Sequence, residues 1–144
     1  MFVRVAMQKR LSIARLVPLG DSQPSNDQLS WHQTLTQDIS GGGISFCVNE
    51  ETPAGTLLLL RLDCLKELII PEVVLGIVRR CNIRDDAWHC GVQFVLADAL
   101  LSHLDVPEIA ALPSSVTDFG HHAQNRLASS IFAYQVKMRV KGLL

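Results

Sequence analysis

Asp38 and Ser40, followed directly by Gly41, Gly42 and Gly43, are the residues of this chain whose types and spacing best suit chemistry. A carboxylate only accepts hydrogen bonds, so Asp38 suits a ligand edge rich in N–H donors. An Asp and a Ser at alternate positions near the end of a strand point the same way. Three glycines beyond them remove every Cβ that would hold a ligand off the backbone. Upstream, Lys9, Arg10 and Arg15 supply the complementary chemistry, since a guanidinium fork grips acceptor edges and phosphates. The two sets together suit an anionic guanine nucleotide, with its N1 and N2 donors on Asp38 and its O6, N7 and phosphates on the basic side chains. The same residues also have plain structural uses. Asp and Ser cap turns by bonding to nearby backbone, and a basic segment can simply be solvated.

Other constellations are weaker. Arg79 and Arg80 stand together on a Val-rich stretch and are candidates for a further phosphate or guanine contact. They suit a solvent-facing strand end near Asp85 and Asp86 equally well. Trp88 has the ring for base stacking but begins an apolar segment, where tryptophan belongs to a core. His89 and Cys90 are neighbours, and on a strand they face opposite sides, so they make no thiol–imidazole pair. His32 and His103 are isolated, and His121 and His122 have no acid or cysteine close by. The four cysteines (47, 64, 81 and 90) lack the two-to-four-residue spacing of zinc ligands, so no metal is expected. No G-K-[ST] follows the glycines and no G-x-S-x-G occurs. With no nucleophile–base set, the chain reads as a non-enzyme without a cofactor.

The elements that must position these residues are mostly strands. Residues 29–39, 44–48, 56–64, 73–83 and 88–96 alternate apolar and polar side chains or form continuous apolar or β-branched runs, separated by turn-rich 21–27, 49–55 and 84–87. Leu29, Trp31, Leu35 and Ile39 are the apolar positions of the first of these. Five or more short strands at this spacing predict a sandwich or small barrel. Residues 97–112 have helical spacing interrupted by Pro107, and 113–120 read as a linker. Leu127, Ile131, Tyr134 and Met138 mark one face of a helix over 121–139. The predicted organisation is a basic N-terminal arm (1–20), a β-barrel (21–105) and a C-terminal helical extension (106–144).

Of the 144 residues, 48% are hydrophobic and 19% charged, which suits one domain with a buried core. The longest apolar run, 56–65, is broken by Arg61 and Asp63, so no transmembrane segment is expected. The N-terminus makes a poor signal peptide, leaving a cytoplasmic location as the expectation. A net charge of −1 gives no field for a nucleic-acid polymer. Both ends are nonetheless basic: residues 1–15 and 121–144 hold four cations each and no acid. The basic helix suits a second subunit in a homodimer, or a protein partner.

D38-I39-S40-G41-G42-G43 resembles the D/N-x-S-x-x-G motif of PilZ domains, bacterial receptors for cyclic di-GMP. The resemblance runs in order through QKRLSIAR (8–15), DISGGG (38–43), TPAG (52–55), TLLLLRL (56–62), VVLGIVRR (73–80) and GVQF (91–94). It implies a mainly β fold, a small antiparallel six-stranded barrel of split or Greek-key type with C-terminal helices. It also implies cyclic di-GMP as ligand, held by Lys9, Arg10, Arg15, Asp38, Ser40, Gly41, Gly42 and Gly43. The output it implies is motility, biofilm or exopolysaccharide control through a change of shape. One departure stands out: the family's basic motif is R-x-x-x-R, and here four residues separate Arg10 from Arg15. A bulged arm keeps both guanidiniums on the ligand, whereas an extended one turns Arg15 to the opposite face. The alternative within the family is an adaptor that binds no nucleotide and works through protein contacts.

Overall fold

The strands find their partners around a ring. A computed structural model describes residues 2–16, 30–61 and 73–142. Its strands are β1 (Val5–Ala6), β2 (Arg10–Arg15), β3 (His32–Ile39), β4 (Gly43–Val48), β5 (Leu57–Arg61), β6 (Val73–Arg84) and β7 (Ala87–Phe94). All pairings are antiparallel, in the order β1-β3-β2-β5-β6-β7-β4, and β4 pairs back onto β3. The six strands β2 to β7 thus close into an antiparallel barrel, and closure leaves no long edge to template aggregation. The helical part is a 3-10 helix (Ala97–Ser102), then α1 (Val106–Ala110), α2 (Ser114–Thr117) and α3 (His121–Val140).

Two apolar clusters explain why β5 and the first half of β6 are apolar on both faces. Leu58, Leu60, Val74 and Val78 point into the barrel with Leu11, Ile13, Phe46 and Phe94. Leu59, Val73, Leu75 and Ile77 point outward, where Leu100, Leu104, Leu112 and Val116 of the helical segments cover them. One end of the barrel interior is closed by Phe119, Leu127 and Ile131, all essentially inaccessible. Phe119 meets Phe94 edge-on, with ring centroids 5.7 Å apart.

Several expectations change. The N-terminal arm is strand: Val5, Met7, Leu11 and Ile13 are buried, and β1 and β2 lie end to end along β3. Thr36 spans the break between them, its hydroxyl accepting from the Lys9 N–H at 2.8 Å and donating to the Met7 carbonyl. Pro107 does not interrupt a helix but sits in the first turn of α1, where its missing N–H costs nothing, behind the Asp105/Glu108 capping box. The linker over 113–120 contains α2. Of the apolar residues of β3, Leu35 is exposed and Ile39 buried, because an extra residue between Thr36 and Asp38 shifts the register. The loop at 21–27, the strand residues 62–64, Cys64 and the connection up to residue 72 lie outside the described residues. The tight turn at 84–87 holds as expected, with Asp85 and Asp86 both at positive φ between β6 and β7.

Phe119 plugs the barrel from the helical side, so Phe119→Ala should cost about 3–5 kcal/mol of unfolding free energy by cavity formation. The measurement is urea denaturation followed by tryptophan fluorescence.

Candidate functional site

The glycine loop joins β3 to β4 at the barrel's rim. Ser40 is buried, and its hydroxyl accepts from the N–H groups of Gly42 and Gly43, both at 3.2 Å. Its own N–H donates to the Gly43 carbonyl at 2.9 Å. The serine therefore closes the turn, and it does not point outward beside Asp38 as strand alternation would have it. Each glycine is confined differently. A Cβ on Gly43 would sit 2.2 Å from the Val92 carbonyl of β7, so the strands pair there only because that atom is missing. A Cβ on Gly41 would lie 2.7 Å from the Phe2 ring and 2.8 Å from the Ala128 methyl of α3. The loop is thus overlaid by the chain's own first residues and by α3.

Asp38 faces outward because of the register shift. Thr36 and Ile39 are both buried, so the extra residue resets the count and leaves the carboxylate outside. There Arg4 Nη1 donates to Asp38 Oδ1 at 3.1 Å, across the β1–β3 pairing of Ala6 with Asp38. No sequence motif pointed to Arg4 or to Phe2. The signal that would have found them is the alternation of Val5, Met7, Leu11 and Ile13, which marks the segment as strand and so brings it against β3.

Of the basic residues singled out from sequence, Arg10 lies opposite Leu35 at the start of β2, exposed on the outer face that also carries Asp38. That places it roughly 10 Å from Asp38 at 3.3 Å per residue along β3. Lys9 is half-buried beside it, with its backbone tied to Thr36. Gln8, Lys9, Arg10 and Leu35 line a shallow depression there. Arg15 ends the same strand opposite Leu58, roughly 17 Å from Arg10 and on the opposite parity. β2 is extended, so the four-residue spacing separates the two arginines. Arg79 and Arg80 are both exposed on β6, and Arg79 Nε donates to Gln93 Oε1 at 2.7 Å.

His89 and Cys90 face opposite sides, as alternation requires: Cys90 is in the core, and the His89 ring is outside with Gln37 at 2.9 Å and Cys47 Sγ at 3.4 Å. Burial, then the Cys81 sulfur 3.1 Å away, pushes the Cys90 thiol up to about 12 from its ordinary 9.0. Among the described residues, no three His, Cys, Asp or Glu side chains are grouped to hold a metal. No helix of the described residues is long and apolar enough to cross a membrane.

Comparison with known proteins gives this rim its context. The family model described as PilZ domain matches residues 8–105. The chain belongs to the PilZ domain family. PilZ domains are a cyclic di-GMP receptor family and are known as non-catalytic receptor or effector domains. Among solved structures, this PilZ chain is similar to the Bacillus subtilis inhibitor of motility (MotI/DgrA), with TM-score 0.54 and 16% identity over 96% of this chain and 52% of that one. It spans about half the length of that protein. It is also similar to the PilZ domain of YcgR from Escherichia coli with c-di-GMP, at TM-score 0.47 and 12% identity, covering 98% of this chain and 95% of that one. No curated protein matches the sequence.

Two outcomes follow for the rim. Gly43→Ala should fail to fold or lose several kcal/mol, since a backbone carbonyl cannot step aside, while Gly42→Ala should cost about 1 kcal/mol or less; thermal melts of the two variants make the comparison. Cys90 should resist iodoacetamide at pH 8.5 until urea unfolds the chain, as peptide mass mapping would show. The fold holds the Cys90 proton more tightly than the unfolded chain does. The stability drawn from it is therefore complete below about pH 9 and declines as pH rises toward 12.

Proposed function

We propose that this PilZ chain is a non-catalytic receptor for cyclic di-GMP that signals by changing shape. The observation that carries the reading is the outward Asp38 carboxylate, already accepting an N–H from Arg4 beside a loop without side chains. A guanine N1–H/N2–H₂ edge presents the same donors and would take Arg4's place. Arg10, on the outer face with Asp38, would meet phosphates or the O6/N7 edge, Lys9 would add its charge from the depression they share, and Arg15 stands apart. Ser40 contributes by shaping Gly41–Gly43 rather than by touching the base. Seating a ligand displaces the segment from Phe2 to Arg4. Because Ala128 packs against Gly41, the movement is felt by α3.

A partner protein, or the same helix of a second copy in a homodimer, would read that movement on α3, where Phe132 and Val136 are exposed one turn apart. The setting we propose is cytoplasmic. Motility is the first output to test, with biofilm formation beside it, given the solved relative named as an inhibitor of motility. One observation favours a second reading, the nucleotide-independent adaptor: Phe2 and Arg4 already occupy the rim.

Calorimetric titration with cyclic di-GMP separates the two. The receptor reading expects heat from the native chain at roughly tens of micromolar ligand, and its loss by about 10- to 100-fold in affinity in Asp38→Ala. Arg10→Ala should weaken binding about tenfold, and Arg15→Ala by less than about twofold. Arg4→Gln removes a partly exposed competitor and should tighten binding roughly two- to fivefold. No heat with the native chain and with Arg4→Gln would leave the adaptor reading.

A further inference from the structure

A second register shift lies in β6, between Val78 and Arg80. Val78 is buried and Cys81 packs against the interior, so the extra residue turns Arg80 out of the barrel, as its counterpart in β3 does for Asp38. Both re-aimed charges fall on one rung of the sheet. Asp38 pairs with Ser45, Ser45 with Gly91, and Gly91 with Arg80, across β3, β4, β7 and β6. Ser45 lies on the outer parity, because its neighbours Ile44 and Phe46 are both in the core.

Two groups on this rung lack partners. Ser45 is 6% exposed, and its hydroxyl is buried without a hydrogen bond. Arg80 lies flat over Gly91: a Cβ there would be 2.8 Å from the guanidinium carbon and 2.9 Å from Nε. That guanidinium makes no hydrogen bond or ion pair among the described residues. Burying a hydroxyl without a partner costs free energy, and leaving a guanidinium unpaired gains nothing. The flanking groups are already engaged: Arg79 with Gln93, and His89 with Gln37 and Cys47. Asp38 is the sole acid on the rung, three strands away.

We propose that Ser45, Gly91 and Arg80 form an anion subsite that takes a phosphodiester of the nucleotide whose guanine edge meets Asp38. Gly91 leaves the floor open, Ser45 donates its hydroxyl from below, and Arg80 lifts from the floor to fork a phosphate oxygen pair. Three strand spacings separate Asp38 from Arg80, about 14 Å, and the lean of Arg80 over Gly91 shortens the gap to about 10 Å. The rung therefore grips one ligand by donors at one end and acceptors at the other. This inference rests on the receptor reading above and adds residues outside the glycine loop and the basic strand.

The test is calorimetric titration of the native chain, Arg80→Gln, Arg80→Lys and Ser45→Ala with cyclic di-GMP, with thermal melts of each. Arg80→Gln should weaken binding roughly tenfold or more, with Arg80→Lys between it and native. Ser45→Ala should weaken it roughly fivefold while raising the melting temperature, since it removes a hydroxyl the fold leaves unsatisfied. Native affinity in both Arg80→Gln and Ser45→Ala would overturn the subsite and leave the receptor reading standing. If the native chain gives no heat with cyclic di-GMP, the receptor reading fails and inorganic pyrophosphate decides the subsite. Amide shifts at Ser45 and Gly91 that vanish in Arg80→Gln uphold it, and no shift in the native chain overturns it.

Discussion

The interior of a six-stranded barrel is filled by side chains and holds no water to solvate a charge, so strand alternation must not deliver an ion inward. Two strands of this chain approach that failure. Asp38 stands two residues after buried Thr36, and Arg80 stands two after buried Val78. Uninterrupted alternation would bury a carboxylate on β3 and a guanidinium on β6. Each strand inserts one extra residue at that point, and each charge emerges on the outer face. The polar character of that face is thus inseparable from the apolar character of the core.

Closure and recognition meet at the same rim. The barrel closes where β4 pairs with both β3 and β7, and the loop between β3 and β4 must pass under the β7 backbone to do so. Gly43 makes that approach possible, and the Gly42 carbonyl accepts from Phe94 N–H at 2.9 Å just beyond it. Ser40 holds the turn in place with two N–H bonds. A loop shaped by those demands presents bare backbone outward, which Phe2 and Ala128 cover in this structure. The glycines thus serve strand pairing first, and the room they leave is what a flat ligand can use. The Arg4–Asp38 pair is partly exposed on both sides, so it holds the cover with no more than about 1 kcal/mol. A contact that weak can be exchanged for a ligand.

Much of this was legible in the residues. The strands of β3 to β7 announced themselves by alternation or by apolar and β-branched runs, and the hairpin turn at Asp85–Asp86 by its composition. Asp38 and the glycines stood out because an acceptor-only carboxylate beside three residues without side chains suits a ligand as well as a turn. The N-terminal strands were missed because basic residues at 9, 10 and 15 masked the inward series Val5, Met7, Leu11 and Ile13. Ser40 was legible as a loop residue, but its two chemical uses differ only in where the hydroxyl turns. Arg4, Phe2 and Ser45 carried no local signal, since nothing in a neighbouring residue tells what lies across a sheet.

By itself the sequence determined much of the inventory: that β3 to β7 are strands, that both faces of β5 need covering, and that Asp38 precedes a loop without side chains. Those properties follow from local periodicity and turn chemistry, which act over a few residues. The tertiary structure alone decided which charges share a face. Arg10 and Arg15 part company because β2 is extended within the barrel, while Asp38 and Arg80 come onto one rung through bulges in strands some forty residues apart. A bulge is a property of two paired strands, fixed by the register that lets their apolar faces meet inside. No stretch of one strand contains that register, because it is written in the fit between strands.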